Sequence, residues 1–294
     1  MNSGIELLRI VAVILITFTH TRNNLEDGYF YFFIEKLPTY GTSILSIISG
    51  YLYFTITRKS DISLFKKKIQ TLAIPFLIAN LSVLLLVLVA NFLFNVNPLN
   101  RLTYDYSLVS QGIFALESPP INPPTYFIRD IFVIFCFLSL FTQKEFKALS
   151  VIIFYGVLGV LLIRWDILIL FSAGVIYAKY KNQIKKSTLI SAVILIIFTL
   201  IFFETNLLKY VVSALIFVSF VDLKFKFYNT GRYSYLLHLY HSPIIVTTFP
   251  IINQFIKNPY INVVTQILTA AVITLALFYA LKKIPKLRII TGGR

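Results

Sequence analysis

The chain has 294 residues, 57% of them hydrophobic and only 13% charged, with a mean hydropathy of +0.80 and a net charge of +15. Soluble domains carry roughly 45–50% apolar and about 25% charged residues, so this composition excludes an ordinary soluble domain. Its apolar runs are long and unbroken rather than alternating, which excludes a β-barrel and leaves an all-α polytopic integral membrane protein, in which each span satisfies its own backbone hydrogen bonds.

Ten spans are predicted, at 5–21, 40–56, 69–94, 126–141, 149–163, 167–178, 189–203, 207–221, 233–252 and 261–281. The first follows "MNSGIE", which has no basic n-region, so it is read as a span and not as a signal peptide. It contains "RIVAVILITFTH". Arg9 and His20 are eleven positions apart, roughly 1100° of helical rotation, so they share one face about 16 Å apart along the axis. Glu6 lies on the same side, one turn earlier. Arg9 is either a snorkelling anchor or a functional charge within the bundle. His20 is either an interfacial histidine or a functional one.

The second span ends in "LSIISGY", and "RKSDISLFKKKIQTLAIPF" leads into the third. Arg58, Lys59, Lys66, Lys67 and Lys68 there form either an anchor to anionic lipid or a dock for a polyanionic, nucleotide-bearing substrate. The longest connections are 22–39 and 95–125. The second ends in "ESPPINPPTY", whose four prolines within six residues are expected to stiffen it and forbid helix. It reads as a lid or acceptor-binding element, or as a solvated connector. Arg129 and Asp130 open the fourth span; they pair with each other, or Arg129 faces a cavity. Cys136, the one cysteine, reads as a small buried hydrophobe. In "GRYSYLLHLYHSPII" of the ninth span, Ser234, His238 and His241 form one stripe at i, i+4 and i+7. With His20 these are all the histidines of the chain. No carboxylate cluster accompanies them and no metal is expected. There is no phosphate-cradling glycine loop and no GxSxG.

Nineteen of the 27 Lys and Arg residues fall on the even-numbered connections and the C-terminal tail, and six on the odd-numbered ones. This asymmetry puts both termini in the cytoplasm. It also explains the positive charge as anchoring to membrane lipid and not as nucleic-acid binding.

Five of these features, in this order, resemble the acyltransferase-3 family of membrane-bound O-acyltransferases, the type that O-acetylates bacterial surface polysaccharides. They are the Arg9-to-His20 spacing, Ser49–Gly50, the Lys66–Lys68 loop leading to Pro75, "YFIR" from Tyr126 to Arg129, and Ser234, His238, Leu239, His241 and Pro243. The sequence departs from the family pattern at Ser43, usually acidic, at His238, usually Tyr, and at Tyr126, usually Trp. The resemblance implies a single acyltransferase-3-like transmembrane domain over 1–294, in the bacterial cytoplasmic membrane. It implies transfer of an acetyl or other short acyl group from cytoplasmic acyl-CoA to a hydroxyl of an extracytoplasmic or lipid-linked cell-envelope glycan. His20 would be the general base. Arg9, Arg58, Lys66, Lys67 and Lys68 would meet the CoA phosphates, and His241 or Arg129 would stabilise the oxyanion. An acyl-enzyme relay, a small-molecule acceptor, and a transporter or flippase for a lipid-linked glycan are the alternatives.

Overall fold

The computed structural model describes residues 3–25, 28–57, 63–95, 105–141, 148–202 and 207–292. Among these residues there is no strand, and every predicted span coincides with a helix. The helices are α1 (Ser3–Phe18), a short α2 (Gly28–Tyr31), α3 (Tyr40–Thr55), α4 (Leu64–Lys68), α5 (Ile74–Phe94), a short α6 (Tyr106–Ser110), α7 (Tyr126–Phe141), α8 (Ala148–Leu161), α9 (Asp166–Tyr180), α10 (Lys186–Phe202), α11 (Leu208–Phe220), α12 (Gly231–Phe255) and α13 (Pro259–Lys283). A π turn, Ile69–Ala73, joins α4 to α5, and a 3-10 segment, Pro285–Thr291, follows α13.

Three of the described helical stretches are long and apolar enough to cross a membrane: Leu64–Leu93, Gly231–Phe255 and Pro259–Lys283. The third span thus starts earlier than predicted, because the π turn carries the helix through the basic segment without a break. The seven other predicted spans are helices of 13 to 17 residues, against about 20 needed to cross the hydrocarbon core upright.

α1 lies between α3 and α12, α3 packs along α9, and α12 and α13 form a hairpin. The α3–α9 crossing is backbone against backbone. A Cβ on Gly50 would lie 1.8 Å from the Phe171 carbonyl oxygen, and one on Gly174 would lie 2.1 Å from that of Ile47. Such close approach through small residues holds helices together where lipid offers no hydrophobic drive. It gives the glycine of "LSIISGY" a structural reason.

The connection ending at Thr125 is packed into the protein at its end. Ile121, Asn122, Pro124 and Thr125 are all buried. Pro243, inside α12, has no N–H to give to the Leu239 carbonyl. Asn122 Nδ2 donates to that carbonyl instead, at 2.7 Å. Asn80 of α5 accepts from the Asn122 N–H at 3.2 Å and donates to Thr125 Oγ1 at 3.0 Å. The expectation that the prolines forbid helix fails at one point. Pro123–Thr125 is a 3-10 turn leading into α7, because proline is accepted in a first helical turn.

Candidate active site

α1 ends at Phe18, and His20 sits just past it in a tighter turn. The N–H groups of Thr19 and His20 donate to the carbonyls of Ile16 and Thr17, each at 3.2 Å. Gln266 of α13 then locks the chain two residues on. Its Oε1 accepts from the Arg22 N–H and its Nε2 donates to the Arg22 carbonyl, both at 2.8 Å. That Nε2 also donates to Asn262 Oδ1 at 2.7 Å. Gln266 and Asn262 went unnoticed in the sequence, although an i, i+4 amide pair inside an apolar run is a readable signal.

The three histidines come together in a row. The ring centroids of His20 and His241 are 5.1 Å apart, and those of His241 and His238 are 6.3 Å apart. Phe127 stands edge-on to His238 at 5.7 Å. His241 Nδ1 lies 2.6 Å from the Leu237 carbonyl. A carbonyl only accepts, so Nδ1 carries the proton and Nε2 presents a lone pair. That Nε2 is buried without a hydrogen-bond partner, and so are both ring nitrogens of His238. Buried polar atoms are paired in the great majority of cases, so three orphaned imidazole nitrogens in one place mark a site. Among the described residues, no group of three or more His, Cys, Asp or Glu is placed to hold a metal ion.

Two spaces flank this row, and a third adjoins one of them. Beside His20 is a cleft of about 590 Å³, walled by Arg22, Val87, Ile121, Asn122, Ser242 and Pro243 among others. The buried proline connection therefore forms one side of it. Near the other end of α1 is a cleft of about 520 Å³, lined by Arg9, Lys67, Lys68, Arg232 and Gly292 among others. Between that cleft and the histidines is a chamber of about 110 Å³ with Phe127, Ile128, Ser234 and His238 in its wall. Arg9, Ser49, Leu52, Leu72 and Ile131 border both the chamber and the larger cleft, so the two adjoin.

The predicted charges separate into two groups. Arg9 Nη1 is held by Glu6 Oε1 at 2.6 Å. Glu6 in turn accepts from the Thr230 N–H at 3.0 Å, which ties α1 to the start of α12. Lys67 and Lys68 line the same cleft as Arg9, with Lys68 Nζ 3.7 Å above the Phe135 ring. Lys66 is exposed and is not among the residues lining that cleft. Arg58 lies outside the described residues. Arg129 is held at the α8–α9 turn. Its Nη1 donates to Asp130 at 2.9 Å and to the Leu161 carbonyl at 2.7 Å. Asp130 is fully buried and also accepts from the backbone N–H of Arg164 at 3.1 Å. The pair is a clamp on the α8–α9 turn. Ser43 is buried, and its hydroxyl has no hydrogen-bond partner.

Residues 2–283 match the acyltransferase-3 family, described as an acyltransferase domain. No curated protein and no solved structure matches the chain.

Proposed function

Because this chain belongs to the acyltransferase-3 family and is a membrane acyltransferase, we propose that it moves a short acyl group, acetyl foremost, from acyl-CoA at the Arg9 cleft to a glycan hydroxyl at the His20 cleft. The observation that carries this reading is the histidine row, set between a basic cleft at one end of α1 and a second cleft at the other. With both termini in the cytoplasm, as the Lys and Arg distribution supports, the basic cleft faces the cytoplasmic pool of acyl-CoA. The His20 cleft then faces the envelope glycan across the bacterial cytoplasmic membrane, and all ten helices act as spans of one domain.

Arg9, Lys67 and Lys68 suit the phosphates of CoA, since charge-assisted hydrogen bonds are the stronger kind. The thioester end enters the chamber. An engineered cavity of about 150 Å³ holds benzene; one of about 110 Å³ suits the four heavy atoms of an acetyl thioester and rejects a long acyl chain. His20 takes the proton from the acceptor hydroxyl as its oxygen attacks the thioester carbonyl. The tetrahedral oxyanion collapses, the C–S bond breaks, and the imidazolium returns the proton to the thiolate to give free CoA. A neutral His241 cannot donate at Nε2, so the oxyanion role expected of it does not suit its tautomer. His238 is better disposed. A neutral imidazole always carries one N–H; His238 makes no well-formed hydrogen bond in the protein, only a looser contact with the Pro124 carbonyl, so its N–H is available to donate into the chamber.

Purified protein with acetyl-CoA and a deacylated envelope glycan is expected to release free CoA thiol and to raise the glycan mass by one acetyl group. Octanoyl-CoA is expected to be a poor donor. Glycan movement across a vesicle membrane without thiol release would replace this reading with that of a flippase.

The donor end has its own test. Neutralising Lys67 and Lys68 together is expected to raise the KM for acetyl-CoA roughly tenfold with kcat little changed, because phosphate contacts stabilise ground and transition states alike. Lys66→Gln, on the exposed side of the same turn, is expected to leave KM unchanged. Equal effects from all three lysines would return them to lipid anchoring.

A further inference from the structure

We infer that the C-terminal segment Pro285–Gly292, beyond the last residue that matches the family, is part of the donor site, where it positions the π turn that follows Lys67 and Lys68. The inference rests on the donor reading of the Arg9 cleft. Thr291 is 4% exposed and Gly292 is buried, so the end of the segment is docked. Gly292 is a wall of the cleft, together with Lys67, Lys68 and Thr71.

The contact is made by backbone. Gly292 has φ +71, and its N–H donates to the Ile289 carbonyl at 3.0 Å. An added Cβ would lie 2.7 Å from the Thr71 carbonyl oxygen and 3.2 Å from the Thr71 Cα. A left-handed conformation and this lack of room both select glycine. Thr71 belongs to the π turn Ile69–Ala73, and its carbonyl also accepts from the Tyr235 hydroxyl at 3.0 Å. Tyr235 borders the chamber that holds His238. A π turn inserts an extra residue into a helix and re-aims the side chains beside it, often at functional sites. Here it falls directly after Lys68. The tail thus presses on one peptide whose carbonyl is tied to the chamber wall, and whose helix carries the two cleft lysines. Its effect on the donor passes through that turn, which makes Gly292 a positioning residue.

The test is Gly292→Ala, with deletion of 285–294 as a second variant, in full-length protein purified in detergent with acetyl-CoA as donor. For Gly292→Ala, KM for acetyl-CoA is expected to rise about 5–10-fold with kcat within about twofold, the pattern of lost uniform binding. A merely structural role would lower the active fraction, and with it kcat, at constant KM. That result, or an unchanged KM, would overturn the inference. The deletion is expected to weaken binding of CoA itself, read by calorimetry on monodisperse protein; unchanged CoA affinity would also overturn it. Wild-type protein that releases no CoA thiol would sink the donor reading instead, which keeps the two failures apart.

Discussion

His20→Ala is expected to lower acyl transfer by roughly 10²–10⁴-fold, the usual contribution of a positioned general base. Affinity for acyl-CoA should survive, because Arg9, Lys67 and Lys68 border a different space from the one His20 borders. The fold should survive too, because the turn at His20 is fixed by the backbone bonds of Thr19 and His20 and by the grip of Gln266 on Arg22, not by the imidazole. Turnover and CoA binding, measured on the same purified variant, check this. Near-normal turnover in folded His20→Ala would remove the base from α1.

His238→Phe is expected to act in opposite directions on activity and stability. Phenylalanine keeps an aromatic ring against Phe127 and removes both nitrogens. Loss of one donor to a developing oxyanion costs about 10²–10³ in kcat. The same change removes two buried ring nitrogens that make no well-formed hydrogen bond, the Pro124 carbonyl being a looser partner. A buried polar atom left unsatisfied costs about 1–3 kcal/mol, so thermal unfolding should move upward. A drop in both turnover and melting temperature would make His238 a packing residue. A rise in stability with unchanged turnover would show that it donates nothing to the reaction.

The helices were legible because lipid-like apolar runs leave little else for the chain to do. What pattern could not supply was partnership. Helical rotation puts Arg9 and His20 on one face only if the helix runs on, and α1 ends at Phe18, two residues short of His20; the stripe of His238 and His241 lies within α12, as their spacing predicts. That the two faces meet depends on α1 lying beside α12, which no local signal encodes. Arg129 shows the opposite outcome. A charge at the start of a span invites a catalytic reading, but the buried Asp130 beside it and the Leu161 carbonyl take up its Nη1. Lys66, Lys67 and Lys68 look equivalent in sequence. Helical rotation separates them, and the π turn that follows could not be read from "KKKIQTLA". Asn122 was hidden for another reason: its partner is a carbonyl freed by Pro243, 121 positions away in the chain.

The small size of the chamber has a consequence for the cell. A route across the bilayer wide enough for a nucleotide-bearing thioester to pass whole would also be a wire for protons and would discharge the gradient that powers the membrane. Here the Arg9 cleft and the His20 cleft share no wall, and the chamber beside the first measures about 110 Å³, lined by Val13, Leu45, Ile48, Phe127, Ile128 and Ile131 together with Arg9, Ser49, Ser234 and His238. On the proposed reading, only the tip of the donor would need to enter the chamber, and a two-carbon group could then move between the two clefts with no open channel through the bundle.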